Sequence, residues 1–228
     1  MNIKEAINLI NNRSFETAVL QLDQLIENVP NNVEAYYWRS VGFLHLNQLD
    51  KALIDLNTAI DKFDEYADAY TQRGVVNFHM GQLPLALDDM NKAVEIDPKN
   101  PYRYSSRAYI KGHFKQIESA IEDYKTAIEL DPDDAVAHNN LGLLEEQLGY
   151  GQMAQKRFKK ADQLSVNNNG ELIETDHTAI EPLAQKELDD APSEADPNIN
   201  LTTLLKQTFT TKKGFNEYWT FVKGMFRK

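Results

Sequence analysis

Apolar residues recur along this chain on two nested periods. Ala18, Leu22, Leu25 and Ile26 stand at i, i+4, i+7 and i+8, the apolar face of an amphipathic helix. The whole pattern then returns every 34 residues: Ala18, Ala52, Ala86, Ala120 and Ala154 mark the middle of successive segments, and Leu25, Ala59, Ala93, Ala127 and Ala161 mark their ends. Five units fit without an insertion, at about 1–32, 33–66, 67–100, 101–134 and 135–168. In the second unit the spacing predicts a first helix over 34–46 and a second over 49–63. Pro30 and the segments DPKN (97–100) and DPDD (131–134) punctuate the units, because proline does not continue a helix. Gly74 falls where two helices approach closely, Gly81 at a turn, and Pro84 in a helical first turn that needs no donor. A period of this length predicts an all-α solenoid of antiparallel helix pairs over 1–166, in which each unit buries its apolar face by stacking on its neighbours.

The pattern changes after Val166. Residues 167–200 read as an acidic linker with three prolines and no aromatic residue. Residues 201–228 regain helical spacing, with Phe215, Tyr218, Trp219, Val222, Met225 and Phe226 forming an amphipathic stripe beside Lys206, Lys212, Lys213, Lys223, Arg227 and Lys228. A basic aromatic C-terminal helical segment is therefore expected.

The repeat resembles the tetratricopeptide repeat, TPR. Tyr36, Tyr70 and Tyr104 hold the aromatic opening position, Ser40, Gly74, Ala108 and Gly142 the small position, Tyr124 and Phe158 the aromatic position of the second helix, and Pro30, Pro98 and Pro132 the closing position. His138 opens the fifth unit instead, and Asn77, Lys111 and Glu145 stand where tyrosine is typical. The resemblance implies a right-handed superhelix whose first helices line a concave groove for an extended or helical peptide. Carried over by register, the groove positions include Tyr37, Val41, Leu44 and His45 in the second unit. The third supplies Thr71, Val75, Phe78 and His79, the fourth Tyr102, Tyr109 and His113, and the fifth Asn139 and Leu143. Members that bind the acidic tails of chaperones use a Lys, Asn and Arg clamp. Here the clamp positions hold Tyr37, Val41, Gln72, Tyr102 and Ser106, which disfavours that role.

Charge refines the picture. Residues 1–166 carry 17 basic and 25 acidic side chains (net −8), 167–200 carry 1 and 9 (net −8), and 201–228 carry 6 and 1 (net +5). The total of −11 argues against nucleic acid as a partner. With no cysteine there is no disulfide or thiolate site, which fits a cytoplasmic protein. Neither a signal peptide nor an apolar run long enough to span a bilayer is expected. The stripe has several candidate surfaces: the groove, the end of the solenoid, a second copy of the chain, or an anionic membrane.

Two sets of residues keep the period. Arg39, Arg73 and Arg107 are followed sixteen places later by Asp55, Asp89 and Asp123, while the fifth unit changes both members, to Leu141 and Arg157. Ion pairs between the two helices of each unit explain this more simply than an arginine ladder for an anionic ligand. His45, His79 and His113 are also one period apart. Neighbouring helices are separated by roughly 8–10 Å, and zinc takes ligands at about 2 Å, so no shared metal site is expected; a surface ridge or pH-sensitive binding are the remaining readings. No metalloprotease motif, phosphate loop, nucleophile elbow or distinctive carboxylate pair appears, so neither enzyme activity nor a cofactor is expected. The sequence points to a scaffold that binds a protein or peptide in the groove, with the C-terminal segment packed on the array. A peripheral membrane adaptor is the alternative.

Overall fold

The computed structural model describes residues 2–165, so the expectations for the acidic linker and for the stripe from Phe215 to Phe226 lie outside the described residues. Among the described residues ten helices form five pairs: α1 (Ile3–Asn11) and α2 (Phe15–Asn28), α3 (Val33–His45) and α4 (Leu49–Lys62), α5 (Ala67–His79) and α6 (Leu83–Ile96), α7 (Pro101–His113) and α8 (Ile117–Leu130), α9 (Ala135–Gln147) and α10 (Gly151–Leu164). In the second pair the helices begin and end within a residue of the positions set by the apolar spacing. Asn32, Asn100 and Asp134, spaced by two periods and then one, cap first helices by accepting from Ala35, Tyr102 and Ala137 backbone N–H groups. Tyr66 holds the corresponding place before α5 and makes no such bond.

Within each pair the turn has one construction. Arg13, Asn47, Gly81, Lys115 and Gly149 all have φ between 55° and 83°. The next residue closes a six-residue ring: Ser14, Gln48, Gln82, Gln116 and Tyr150 donate backbone N–H to the carbonyls of Leu9, Phe43, Asn77, Lys111 and Glu145 at 2.8–3.0 Å. This satisfies a terminal carbonyl of each first helix in a Schellman turn.

The alanines in mid-unit sit in the core, with Ala18, Ala52, Ala86 and Ala120 wholly buried. At Gly74 an added Cβ would lie 2.9 Å from Met90 Cε and 3.1 Å from the Ala86 carbonyl oxygen; at Gly142 it would lie 2.6 Å from the Phe158 ring. Four columns of the second helices then hold the next unit. They read Phe15, Leu49, Leu83, Ile117; Val19, Leu53, Leu87, Ile121; Leu22, Leu56, Met90, Tyr124; and Ile26, Ile60, Val94, Ile128, all buried or half-buried. Ile117, Ile121 and Tyr124, for example, share a cluster with Ala137 and Leu141 of α9.

Each second helix touches its own first helix and that of the following unit, and α1, α3, α5, α7 and α9 touch in succession. Among the described residues no two second helices meet. The first helices therefore crowd together on the inner side, and their outward faces line a concave surface.

Candidate functional site

The concave surface is built from one face of each first helix. Of the positions assigned by register, Val41, Leu44, Thr71 and Val75 are buried, with Val75 only 1% exposed. Tyr37, His45, Phe78, His79, Tyr102 and Tyr109 are half-buried, while His113, Asn139 and Leu143 are exposed. Two of the buried four lie at seams between units: Val41 joins a cluster with Ile10 and Ala18 of the first unit, and Thr71 accepts from Arg103 of the fourth. Two of the clamp positions, Gln72 and Ser106, are also buried.

Two aromatic groups stand on this surface. Phe78 meets Tyr109 at 5.7 Å and His113 at 4.8 Å, Tyr109 meets His113 at 4.8 Å, and His79 lies 5.6 Å from Phe78, so α5 and α7 share one cluster. Tyr37 contacts Trp38 at 5.2 Å and Tyr66 at 5.4 Å. Burial raises the titration of Tyr37 and Tyr66, and the nearby Asp68 carboxylate raises it further. Both stay protonated hydrogen-bond donors at neutral pH.

The periodic histidines do not form one ridge. His79 and His113 enter the Phe78 cluster, whereas His45 stacks on Phe15 of the first unit with centroids 4.3 Å apart and planes 8° from parallel. Burial and then Arg13 lower the titration of His45 below its ordinary value of 6.5. Among the described residues no group of three or more His, Asp or Glu side chains is arranged to hold a metal.

The arginines face the other way, toward the second helices. Arg39 donates to Asp55 at 2.7 and 2.8 Å and to Asp23 at 2.7 Å. Arg73 donates to Asp89 at 2.7–3.2 Å and to Asn57 at 2.8 Å, and Arg107 to Asp123 at 2.7 and 2.8 Å and to Asn91 at 3.2 Å. Each guanidinium thus joins its own unit to the second helix of the preceding one. Burial pushes Asp55 and Asp89 above the usual carboxylate range despite these bonds from Arg39 and Arg73.

One residue of the concave region has no counterpart in the repeat pattern. Arg103 stands in a column otherwise filled by Ala35, Ala69 and Ala137, and it is 4% exposed. It donates to Asp68 and, at 3.1 Å, to Thr71 Oγ1, and its Nε lies 3.4 Å from an Asp97 carboxylate oxygen. A break in an alanine column was the available signal.

The helix pairs, their Schellman turns and the inner layer of first helices have a match at the level of sequence. Family models described as tetratricopeptide repeat and TPR repeat match residues 3–64, 46–101 and 115–149, more than half of the 228 residues. The chain belongs to the tetratricopeptide repeat family. Solved structures with the same TPR fold include MamA, at 23% identity and TM-score 0.61 over 72% of this chain and 95% of that one. MamA of Desulfovibrio magneticus RS-1 matches at 21% identity and TM-score 0.61 over 71% and 91%. A thermophilic TPR protein of Thermus thermophilus, TTC0263, matches at 19% and 0.64 over 72% and 89%. No curated protein matches this TPR chain.

Proposed function

We propose that this protein is a non-enzymatic interaction scaffold whose concave face holds an extended peptide or a helix of a partner protein. The observation that carries the reading is the Phe78, Tyr109 and His113 cluster, in which two successive first helices present rings to the same surface. Aromatic anchors of this kind dominate the energy of peptide interfaces. The test is selection of a displayed peptide library on the full chain, followed by binding of the enriched peptides to a Phe78→Ser, Tyr109→Ser variant. Loss of binding with retained helical circular dichroism is expected. Undiminished binding to the variant removes the concave face as the site.

The membrane reading rests on the basic aromatic sequence of 201–228, whose net charge of +5 suits anionic lipid. No described helix is long and apolar enough to cross a membrane. Co-sedimentation with phosphatidylserine vesicles separates the readings: the full chain sediments and a chain ending at Asn200 does not if the segment is an anchor. Packing of the stripe on protein predicts instead that Trp219 emission is blue-shifted without lipid, measured in a Trp38→Phe background.

A further inference from the structure

We propose that Asp68, together with the rings of Tyr37, Tyr66 and Tyr102, forms a subsite for one cationic side chain, lysine or arginine, of the segment bound on the concave face. This rests on the reading of that face as the peptide-binding surface and adds the chemistry of the ligand to it.

Asp68 lies in the first turn of α5, and its side chain is 46% exposed. Among the described residues its carboxylate accepts one hydrogen bond, from Arg103 Nη2 to Oδ1, which leaves Oδ2 as an open acceptor. Tyr37 and Tyr66 pair with their rings 5.4 Å apart, within electrostatic reach of the Asp68 charge. After burial, the charge of Asp68 is the next largest influence holding up the titration of Tyr37 and Tyr66, and it also acts on Tyr102. A carboxylate among aromatic faces is the chemistry that seats ammonium and guanidinium groups, through a charge-assisted bond and the ring quadrupole.

The chain already places one cation there. The Arg103 guanidinium carbon sits 5.8 Å from the centroid of the Tyr102 ring while Nη2 donates to Asp68. Arg103 does not exhaust the negative charge, because Asp97 also approaches it at 3.4 Å. Two carboxylates against one guanidinium leave a net charge of −1 at the junction of α5 and α7. The array around it, with 17 basic and 25 acidic side chains in residues 1–166, attracts cationic segments and repels acidic ones over the Debye length.

The column that holds Arg103 supplies a variant with a definite sign. Alanine occupies the equivalent place in three other units, so Arg103→Ala fits the fold and releases both oxygens of Asp68. A residue with a merely structural role would weaken binding when removed. Here removal strengthens it.

The experiment is fluorescence anisotropy on the full chain with a short fluorescein-labelled peptide of leucine and lysine, and with the same peptide carrying glutamate for every lysine. The lysine peptide binds and the glutamate peptide does not. Asp68→Asn weakens the lysine peptide about tenfold, the scale of one charge-assisted contact supported by aromatic faces. Arg103→Ala tightens it several-fold, and Asp61→Asn, an exposed acid on α4, leaves it unchanged. The subsite is overturned by equal binding of the two peptides, by no binding of either, by equal weakening in Asp61→Asn, or by weaker binding in Arg103→Ala. If Phe78→Ser abolishes binding while Asp68→Asn changes nothing, the concave-face reading stands and the cation subsite falls. If Asp68→Asn weakens binding and Phe78→Ser has no effect, the cation site stands and the wider groove reading falls. Melting curves of Asp68→Asn separate misfolding from lost recognition, and Arg103→Ala decides the question if that variant fails to fold.

Discussion

Arg73 is held by three helices at once: it rises from α5, binds Asp89 on α6 through two nitrogens, and reaches Asn57 on α4 with a third. The position four residues after Arg73 and after Arg107 completes the environment of the same carboxylate. Asn77 donates to Asp89 at 2.9 Å, and Lys111 pairs with Asp123 at 2.7 Å. In the fifth unit the polarity reverses, with Glu145 on α9 lying 3.7 Å from Arg157 on α10. Asn77, Lys111 and Glu145, departures from the family tyrosine, are thus each matched to what the second helix presents. Because the side chains of Arg73 and Asp89 are 22% and 8% exposed, removal of either leaves a poorly solvated charge. A double-mutant cycle on Arg73→Ala and Asp89→Ala should give a coupling of about 1–3 kcal/mol in urea unfolding. Additive losses would show that the pair does not connect the helices. His45 gives a second expectation at this scale. Its titration is depressed in the fold by burial and Arg13, so its contribution is full above the unfolded value of 6.5 and is lost as pH falls through and below it. The melting temperature should fall less on acidification in His45→Phe, which keeps the stack on Phe15, than in the native chain. Identical pH slopes would assign the acid sensitivity elsewhere.

The turns within helix pairs act at the next scale. The left-handed position is filled by Arg13, Asn47, Gly81, Lys115 and Gly149, and only the two glycines and the asparagine adopt such φ values with little strain. Arg13 and Lys115 remain because the backbone ring closes on the following residue in every unit, which fixes the conformation whatever the side chain. Lys115 is exposed with φ 57°. Replacing it with glycine should relieve left-handed strain and return part of the gain as unfolded-chain entropy, for a net stabilisation of about 0.5–1 kcal/mol. Chemical denaturation of Lys115→Gly against the native chain measures this, and a loss of stability would mean that the lysine stem holds the turn. The same substitution at Ala120 would leave a void against α7, because that column is wholly buried.

At the scale of the molecule, what the sequence disclosed follows from how often each feature is repeated. Helix positions were legible because five units state them in the same register and the Arg to Asp pairs because three units do, and the joint change at Leu141 and Arg157 marked the two positions as linked. The left-handed column was not, since its five side chains share no chemistry and only the backbone conformation is common. Arg103 occurs once and was lost among surface charges. Register named the concave face but not its depth, so the burial of Val41, Leu44, Thr71 and Val75 is something only packing reveals. The end of the array is a further case. Where α8 carries Ile117, Ile121 and Ile128, α10 carries Gly151, Gln155 and Asp162, all exposed, and of the four columns only Phe158 stays apolar, turned against Gly142. The apolar surface that would receive another first helix is therefore replaced by polar groups, the chemistry of a terminal repeat. Restoring it with Gln155→Ile and Asp162→Ile should create an unfilled docking face and drive association of the full chain, because contiguous apolar patches on solenoid ends recruit partners. Sedimentation velocity should then show a concentration-dependent rise in mass for the double variant at concentrations where the native chain is unchanged. If both chains sediment alike, the three columns of α10 do not terminate the stacking surface, and the end of the array is closed by other means.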